Sequence, residues 1–68
     1  MVKSNLPPFT KREFEIMQLL LKGKLNKEIA SDCGISIDTV KKHIKNSYRK
    51  MGVRNRTEAV LHLTNRAA

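Results

Sequence analysis

The chain has 68 residues, and its 14 lysines and arginines outnumber its 6 aspartates and glutamates, giving a formal net charge of +8. A chain of this length forms one domain with a small core, which argues against a deep catalytic pocket. The charge predicts a polyanionic partner, either nucleic acid or an anionic membrane, unless the basic surface only faces water.

Cysteine and histidine content argues against metal sites and disulfides. Cys33 is the only cysteine, and neither His43 nor His62 lies within a few residues of it. We therefore expect no disulfide, no zinc site and no cofactor, with Cys33 as a small core residue. The sequence also lacks a signal peptide and an apolar run near the ~20 residues that cross a bilayer, so we expect a cytoplasmic protein.

The first residues contain Pro7 and Pro8, and we expect residues 1–8 to be a disordered tail or a linker stub before a domain of residues 9–66. Thr10-Lys11-Arg12-Glu13 has the capping-box pattern and predicts a first helix over 11–22, stopped by Gly23. Its predicted apolar face contains Phe14, Ile16, Met17, Leu20 and Leu21.

Two further helices are predicted around a glycine turn. Asn26 is the expected N-cap of a short second helix that ends at Gly34, and Ser36 is the expected N-cap of a longer third helix that ends at Gly52. Apolar and small residues occupy the positions where two steeply crossed helices touch, namely Ile29, Ala30, Cys33, Ile35, Val40 and Ile44. This combination predicts a helix-turn-helix.

Asn55-Arg56-Thr57-Glu58 predicts a fourth helix through a second start of the capping-box type, with Ala59, Val60 and Leu63 on one side. No segment alternates apolar and polar residues with a period of two. The predicted fold is therefore all-α, a four-helix bundle containing a helix-turn-helix.

The third helix, about residues 37–51, has two contrasting faces. At about 100° per residue, Val40, Ile44 and Met51, and more loosely Ile37 and Tyr48, form an apolar stripe. The opposite side has Lys41, Lys42, Lys45 and Arg49, although like charges four residues apart repel each other. Because a major groove admits one helix and lysines reach guanine O6 and N7 or the phosphates, this face predicts duplex DNA as the partner.

Phosphate contacts are predicted at the helix starts, where backbone amides favour anions, at Asn26, Lys27, Ser36 and Thr39. Basic residues in and around the far end of the third helix add Arg49, Lys50, Arg54 and Arg56. The alternative is that Asn26 and Ser36 only cap their helices. His43, at the edge of the apolar stripe, is interpreted as a half-buried packing residue rather than a phosphate contact.

Other functional classes fit the sequence less well. No nucleophile, base and acid form a local catalytic pattern and no glycine-rich phosphate loop occurs, so the chain is not expected to be an enzyme. A sigma-factor-like promoter-reading domain uses a similar motif, but the separately capped fourth helix argues against it. A cationic membrane-surface module needs a free apolar face, and here these faces are needed for packing.

Five blocks in order carry a family resemblance: Thr10-Lys11-Arg12-Glu13, then Gly23, then residues 26–30 (NKEIA), then residues 36–44 (SIDTVKKHI), then residues 50–53 (KMGV) with 56–60 (RTEAV). Over about residues 9–64 the chain resembles the LuxR/NarL-type helix-turn-helix domain. That family includes the DNA-binding effector domains of bacterial response regulators in two-component systems, which in many members follow a receiver or sensor domain. The resemblance implies either an excised C-terminal piece or a free-standing regulator.

The resemblance also implies roles for individual residues. The base-reading residues would be Lys41, Lys42 and Lys45, and the phosphate contacts would include Asn26, Lys27, Thr39 and Lys50. The fourth helix would form a homodimer on inverted or direct repeats, with exposed Leu61 as a dimer contact; single exposed leucines are also common. RNA polymerase is a further expected partner, whereas a membrane or a small-molecule ligand is not expected.

Ser47 departs from the family pattern, which has an aliphatic residue at this place on the core stripe. Three explanations remain open from the sequence. Either the helix is slightly rotated, or Tyr48 fills the space that an aliphatic side chain would occupy, or the serine hydroxyl donates a hydrogen bond to the carbonyl of His43 one turn earlier.

Overall fold

The computed structural model describes residues 8–65, and for Asn65 the backbone alone. It contains four helices, α1 (Lys11–Leu21), α2 (Asn26–Cys33), α3 (Ile37–Met51) and α4 (Arg56–Asn65), and no strand occurs within residues 8–65. The predicted all-α fold with four helices is confirmed. Most of the predicted tail, residues 1–7, and residue 66 of the predicted domain lie outside the described residues.

The start of α1 is fixed by the predicted capping box. The Thr10 hydroxyl accepts a hydrogen bond from the Glu13 amide at 3.1 Å, and the Glu13 carboxylate accepts one from the Thr10 amide at 2.9 Å. Both donors would otherwise lack a partner at a helix N-terminus. The helix ends at Leu21, one residue before the predicted end, because Lys22 is its C-cap.

The prediction that Asn26 caps α2 is wrong. Leu25 is the N-cap, with extended backbone angles, and Asn26 is the first residue of the helix. The Leu25 side chain has no acceptor, but the Glu28 carboxylate accepts from the Leu25 amide at 2.7 Å. A carboxylate three positions into the helix thus satisfies the entering amide, so an apolar residue is tolerated at the cap.

The turn between α2 and α3 follows the prediction. Gly34 has a φ of +69°, in the left-handed region that residues with a Cβ resist, and the Ile35 amide donates to the Ala30 carbonyl at 3.0 Å. Ser36 then caps α3, since its hydroxyl accepts from the Thr39 amide at 3.1 Å. The two helices therefore meet through a three-residue connection of fixed geometry.

The start of α4 realises half of the predicted capping box. The Asn55 side chain accepts from the Glu58 amide at 2.9 Å, as expected. The Glu58 carboxylate, however, accepts from the Arg54 amide at 2.7 Å, one residue before the cap. Arg54 and Asn55, the last two residues of the connection before α4, are therefore both hydrogen-bonded to Glu58.

The core is one apolar cluster around α3, which contacts each of the other three helices. α3 is therefore packed against its neighbours along one side while its other long side stays exposed to solvent. Burying these side chains is the main source of stability for a domain of this size. The buried apolar residues are Ile16, Met17, Leu20, Ile29, Ala30, Val40, Ile44, Met51, Ala59 and Leu63.

Two residues predicted on apolar faces are exposed instead. Phe14 and Ile37 each leave 42% of their surface accessible to solvent. On α1 the buried stripe begins with Glu13, at 3% exposure, which turns the neighbouring Phe14 outward. Ile37 is the first residue of α3 and is not among the residues that pack against the core.

Ser47 is completely buried, and its hydroxyl donates to the His43 carbonyl at 2.8 Å. Of the three explanations left open by the sequence, the bond back to the preceding turn is the one observed. The polar atom is satisfied within its own helix, so burying it requires no partner on another element. Tyr48 is half-buried and also packs against the core.

Candidate nucleic-acid interface

The free side of α3 is strongly cationic. Lys41, Lys42, Lys45 and Arg49 are all exposed on it, while Val40 and Ile44 on the opposite side are buried. The only acidic residue in the helix is Asp38, in its first turn. The structure thus brings together Lys41, Lys42 and Lys45, the residues predicted to read bases, on the exposed face of a helix whose other face is buried in the core.

The start of α3 contains the polar residues Ser36 and Thr39 and the exposed apolar residue Ile37. The hydroxyl groups of Ser36 and Thr39 lie 2.9 Å apart, and Thr39 is half-buried. Since the first amides of a helix have no partner inside it, this turn offers hydrogen-bond donors as well as the positive end of the helix dipole. Its geometry suits an anion in addition to the capping role of Ser36.

An open groove of about 360 Å³ connects the cationic face to the start of α2. Ile44, Tyr48 and Val53 form its apolar part, and the polar residues around it come from three different segments. Asn26, predicted as a phosphate contact, thereby lies in the same groove as two of the predicted base readers. The lining residues are Asn26, Lys41, Ile44, Lys45, Tyr48, Arg49, Val53 and Arg54.

Tyr48 is a hydrogen-bond donor beside this groove. Burial raises the pKa of its phenol above the ordinary value, and the nearby positive charge of Arg56 lowers it only in part. The hydroxyl group therefore stays protonated at neutral pH. A protonated phenol donates to an anionic oxygen, which suits a groove with a cationic rim.

Two residues predicted to contact phosphates are engaged by the protein itself. The Lys50 ammonium lies 2.5 Å from the Glu13 carboxylate and 3.1 Å from the Pro8 carbonyl. The Arg56 guanidinium donates to the Leu20 carbonyl at 3.0 Å and to the Lys24 carbonyl at 2.8 Å. These contacts could not be predicted from the sequence, because their partners lie more than thirty residues away and no local pattern marks them.

The remaining predicted residues keep the expected exposure. Lys27 is exposed at the start of α2, and His43 is half-buried, as predicted for a packing residue. Leu61 on α4 is 52% exposed. No group of residues that could hold a metal ion occurs within residues 8–65, and in that range no helix is long and apolar enough to cross a membrane.

Comparison with known proteins identifies this arrangement of helices. A family model described as bacterial regulatory proteins, luxR family, matches residues 7–63. The chain belongs to the luxR family. It is thus a DNA-binding domain of a family of transcription regulators, which is not a class of enzymes, and the match decides against the sigma-factor-like alternative.

Individual relatives of this luxR-family domain agree with the assignment. It is 49% identical over 57 residues to the spore germination protein GerE of Bacillus subtilis (strain 168), covering 84% of this chain and 77% of that protein. The solved structure of the transcription factor GerE superposes with a TM-score of 0.77 and 41% identity, over 87% of this chain and 88% of the other.

A second solved structure places the same fold in a larger protein. The crystal structure of the response regulator ChrA, from a heme-sensing two-component system, superposes with a TM-score of 0.80 and 36% identity. The match covers 98% of this chain but only 32% of ChrA. The domain therefore spans about a third of that response regulator.

Proposed function

We propose that this luxR-family domain binds duplex DNA sequence-specifically in the cytoplasm, with α3 lying in the major groove. The observation that carries the proposal is the outward face of α3, where Lys41, Lys42, Lys45 and Arg49 are exposed together and the opposite face is fixed in the core. A helix about as wide as the groove, with donors on one side, suits recognition of base edges.

Within this proposal, Lys41, Lys42 and Lys45 read bases. Lysine donates hydrogen bonds and accepts none, so its partners are guanine O6 and N7 or thymine O4. Arg49 lies further along the helix, on the side that borders the groove next to α2. We assign it to the phosphate backbone.

The remaining phosphate contacts come from both ends of the helix-turn-helix. Asn26 and Lys27 begin α2, while Ser36 and Thr39 begin α3, and free backbone amides lie at both places. Phosphate contacts from two elements fix the height and angle of the helix in the groove. We leave Lys50 and Arg56 out of this set, because their cationic groups are bonded within the protein.

Homodimerisation on DNA through α4 is a further part of the proposal. The exposed Leu61 offers an apolar contact on the side of α4 away from the core residues Ala59 and Leu63. Two copies related by a twofold axis would present two α3 helices to half-sites one turn of DNA apart. RNA polymerase would be a partner of the DNA-bound dimer.

The decisive experiment is selection of bound duplexes from a random pool by the purified chain, followed by titration of the selected sequence and of an unrelated duplex. We expect a recurring sequence, and a palindrome would also give the half-site spacing. Binding to both duplexes should weaken steeply as salt is added, since each neutralised phosphate releases counterions. Recovery of no preferred sequence would contradict specific recognition.

Lys45→Ala tests the assignment to bases. On the selected duplex we expect a loss of about 1–3 kcal/mol, and a much smaller loss on unrelated duplexes. The exposed Lys22, at the end of α1, provides the control variant Lys22→Ala, which should bind like the wild type. Equal losses on both duplexes would reassign Lys45 to the backbone.

A further inference from the structure

Ile37 is an apolar side chain at the leading end of a cationic surface. It is the first residue of α3 and is 42% exposed, although isoleucine is among the residues most often buried. It is not among the partly buried hydrophobic residues that pack against the core, so packing within the domain does not account for an isoleucine here.

The position of Ile37 relative to the cationic residues is informative. Lys41 and Lys45 follow it at intervals of four residues, and each step along the helix turns by only about 40°. All three side chains are exposed. Ile37 thus begins a row that continues into the proposed base-reading lysines.

An apolar group on a surface that enters the major groove meets one apolar feature there, the C5-methyl group of thymine. The other base-edge groups in that groove are hydrogen-bond donors and acceptors, which isoleucine cannot satisfy. In helix-turn-helix domains the N-terminal residues of the second helix approach the base edges. The first turn of α3 has this position.

We propose that Ile37 contacts a thymine methyl group in the DNA site and so selects thymine at one position next to the bases read by Lys41. This inference rests on the proposed function, since it requires α3 to lie in the major groove. It adds an apolar specificity contact to a surface otherwise composed of cationic donors.

The test replaces thymine by uracil, which removes only the methyl group, at one position of the selected duplex at a time. For the wild-type chain we expect one position, within the base pairs protected by α3, where uracil weakens binding about fourfold, the value for one buried methyl-sized group. The variant Ile37→Ala should bind the thymine duplex more weakly and should not distinguish uracil from thymine at that position.

Phe14→Ala is the matched control, because Phe14 has the same 42% exposure but lies on α1. It should keep the wild-type preference for thymine, and thermal unfolding should show that both variants remain folded. An unchanged thymine preference in Ile37→Ala, or no position sensitive to uracil, would overturn the inference while leaving the proposed function intact. Failure of the selection itself, with equal losses for Lys45→Ala on all duplexes, would overturn both.

Discussion

The ammonium group of Lys50 lies 2.5 Å from a carboxylate oxygen of Glu13 and joins the last turn of α3 to the first turn of α1. Glu13 is the less exposed partner, with 5% of its side chain accessible against 30% for Lys50. The same carboxylate oxygen accepts from the Thr10 amide. One carboxylate therefore caps α1 and also anchors the far end of α3.

Lys50→Met should lower the free energy of unfolding by about 2 kcal/mol, because it leaves the Glu13 carboxylate buried without its cation. The effect is smaller than for a fully buried pair, since Thr10 still donates to Glu13. Urea denaturation measures it. Lys42→Met, at an exposed lysine of the same helix, is the control and should change stability by less than about 0.5 kcal/mol.

Stability should fall at acidic pH through Glu13. Burial raises the pKa of its carboxyl, but the hydrogen bonds from Lys50 and Thr10, with the charges of Lys50 and His43, outweigh this and bring it below the ordinary 4.5. Because the pKa of Glu13 is lower in the folded state than in the unfolded state, its ionised carboxylate stabilises the fold at pH values above the unfolded-state pKa. This contribution is lost as the pH falls through the folded-state pKa.

The difference in unfolding free energy between the wild type and Glu13→Gln should therefore be constant above pH 4.5 and should shrink below it. Urea denaturation at a series of pH values measures the difference. Glu15→Gln, at an exposed carboxylate of the same helix, should show little of this behaviour. A difference that is independent of pH would show that the pKa of Glu13 is not lowered in the folded protein.

Arg56→Met should destabilise the fold by about 1–3 kcal/mol, because it removes two charge-assisted hydrogen bonds and leaves the carbonyls of Leu20 and Lys24 without them. Thermal unfolding measures the loss. The control is Arg54→Met, two residues earlier and exposed, which should unfold close to the wild-type temperature. Equal midpoints for the two variants would count against this role of Arg56.

Ser47→Ala should be neutral or should stabilise the protein by up to about 0.5 kcal/mol. The serine hydroxyl bonds only to the carbonyl one turn earlier, which the helix itself also satisfies, and alanine has the higher helix propensity. Chemical denaturation measures the change. A loss above about 1 kcal/mol would mean that the buried hydroxyl has a further role in the core.

Local signals in the sequence predicted most of the fold. Thr10, Ser36 and Asn55 mark helix starts through bonds to residues three positions away, and Gly34 and Gly52 mark ends through their backbone angles. These contacts join residues that are close together in the sequence, so each can be predicted from one short segment. The outward row of lysines on α3 follows from helical periodicity in the same way.

Long-range contacts were not predictable. Glu13 has the sequence pattern of a simple capping residue, and its second bond, to a lysine 37 residues away, depends on how α1 lies against α3. Lys50 and Arg56 likewise look like free surface cations in the sequence. Leu25 was not predicted as the N-cap of α2 because its side chain cannot accept a hydrogen bond. Its amide donates to the Glu28 carboxylate instead.

The short connections between helices, residues 22–25, 34–36 and 52–55, have a consequence for the order of folding. Neighbouring helices meet quickly when little chain must be closed, so the domain should fold fast. The bonds from Lys50 to Glu13 and from Arg56 to Leu20 close much longer loops and should form late. In stopped-flow measurements, Lys50→Met should then speed unfolding while leaving the refolding rate nearly unchanged.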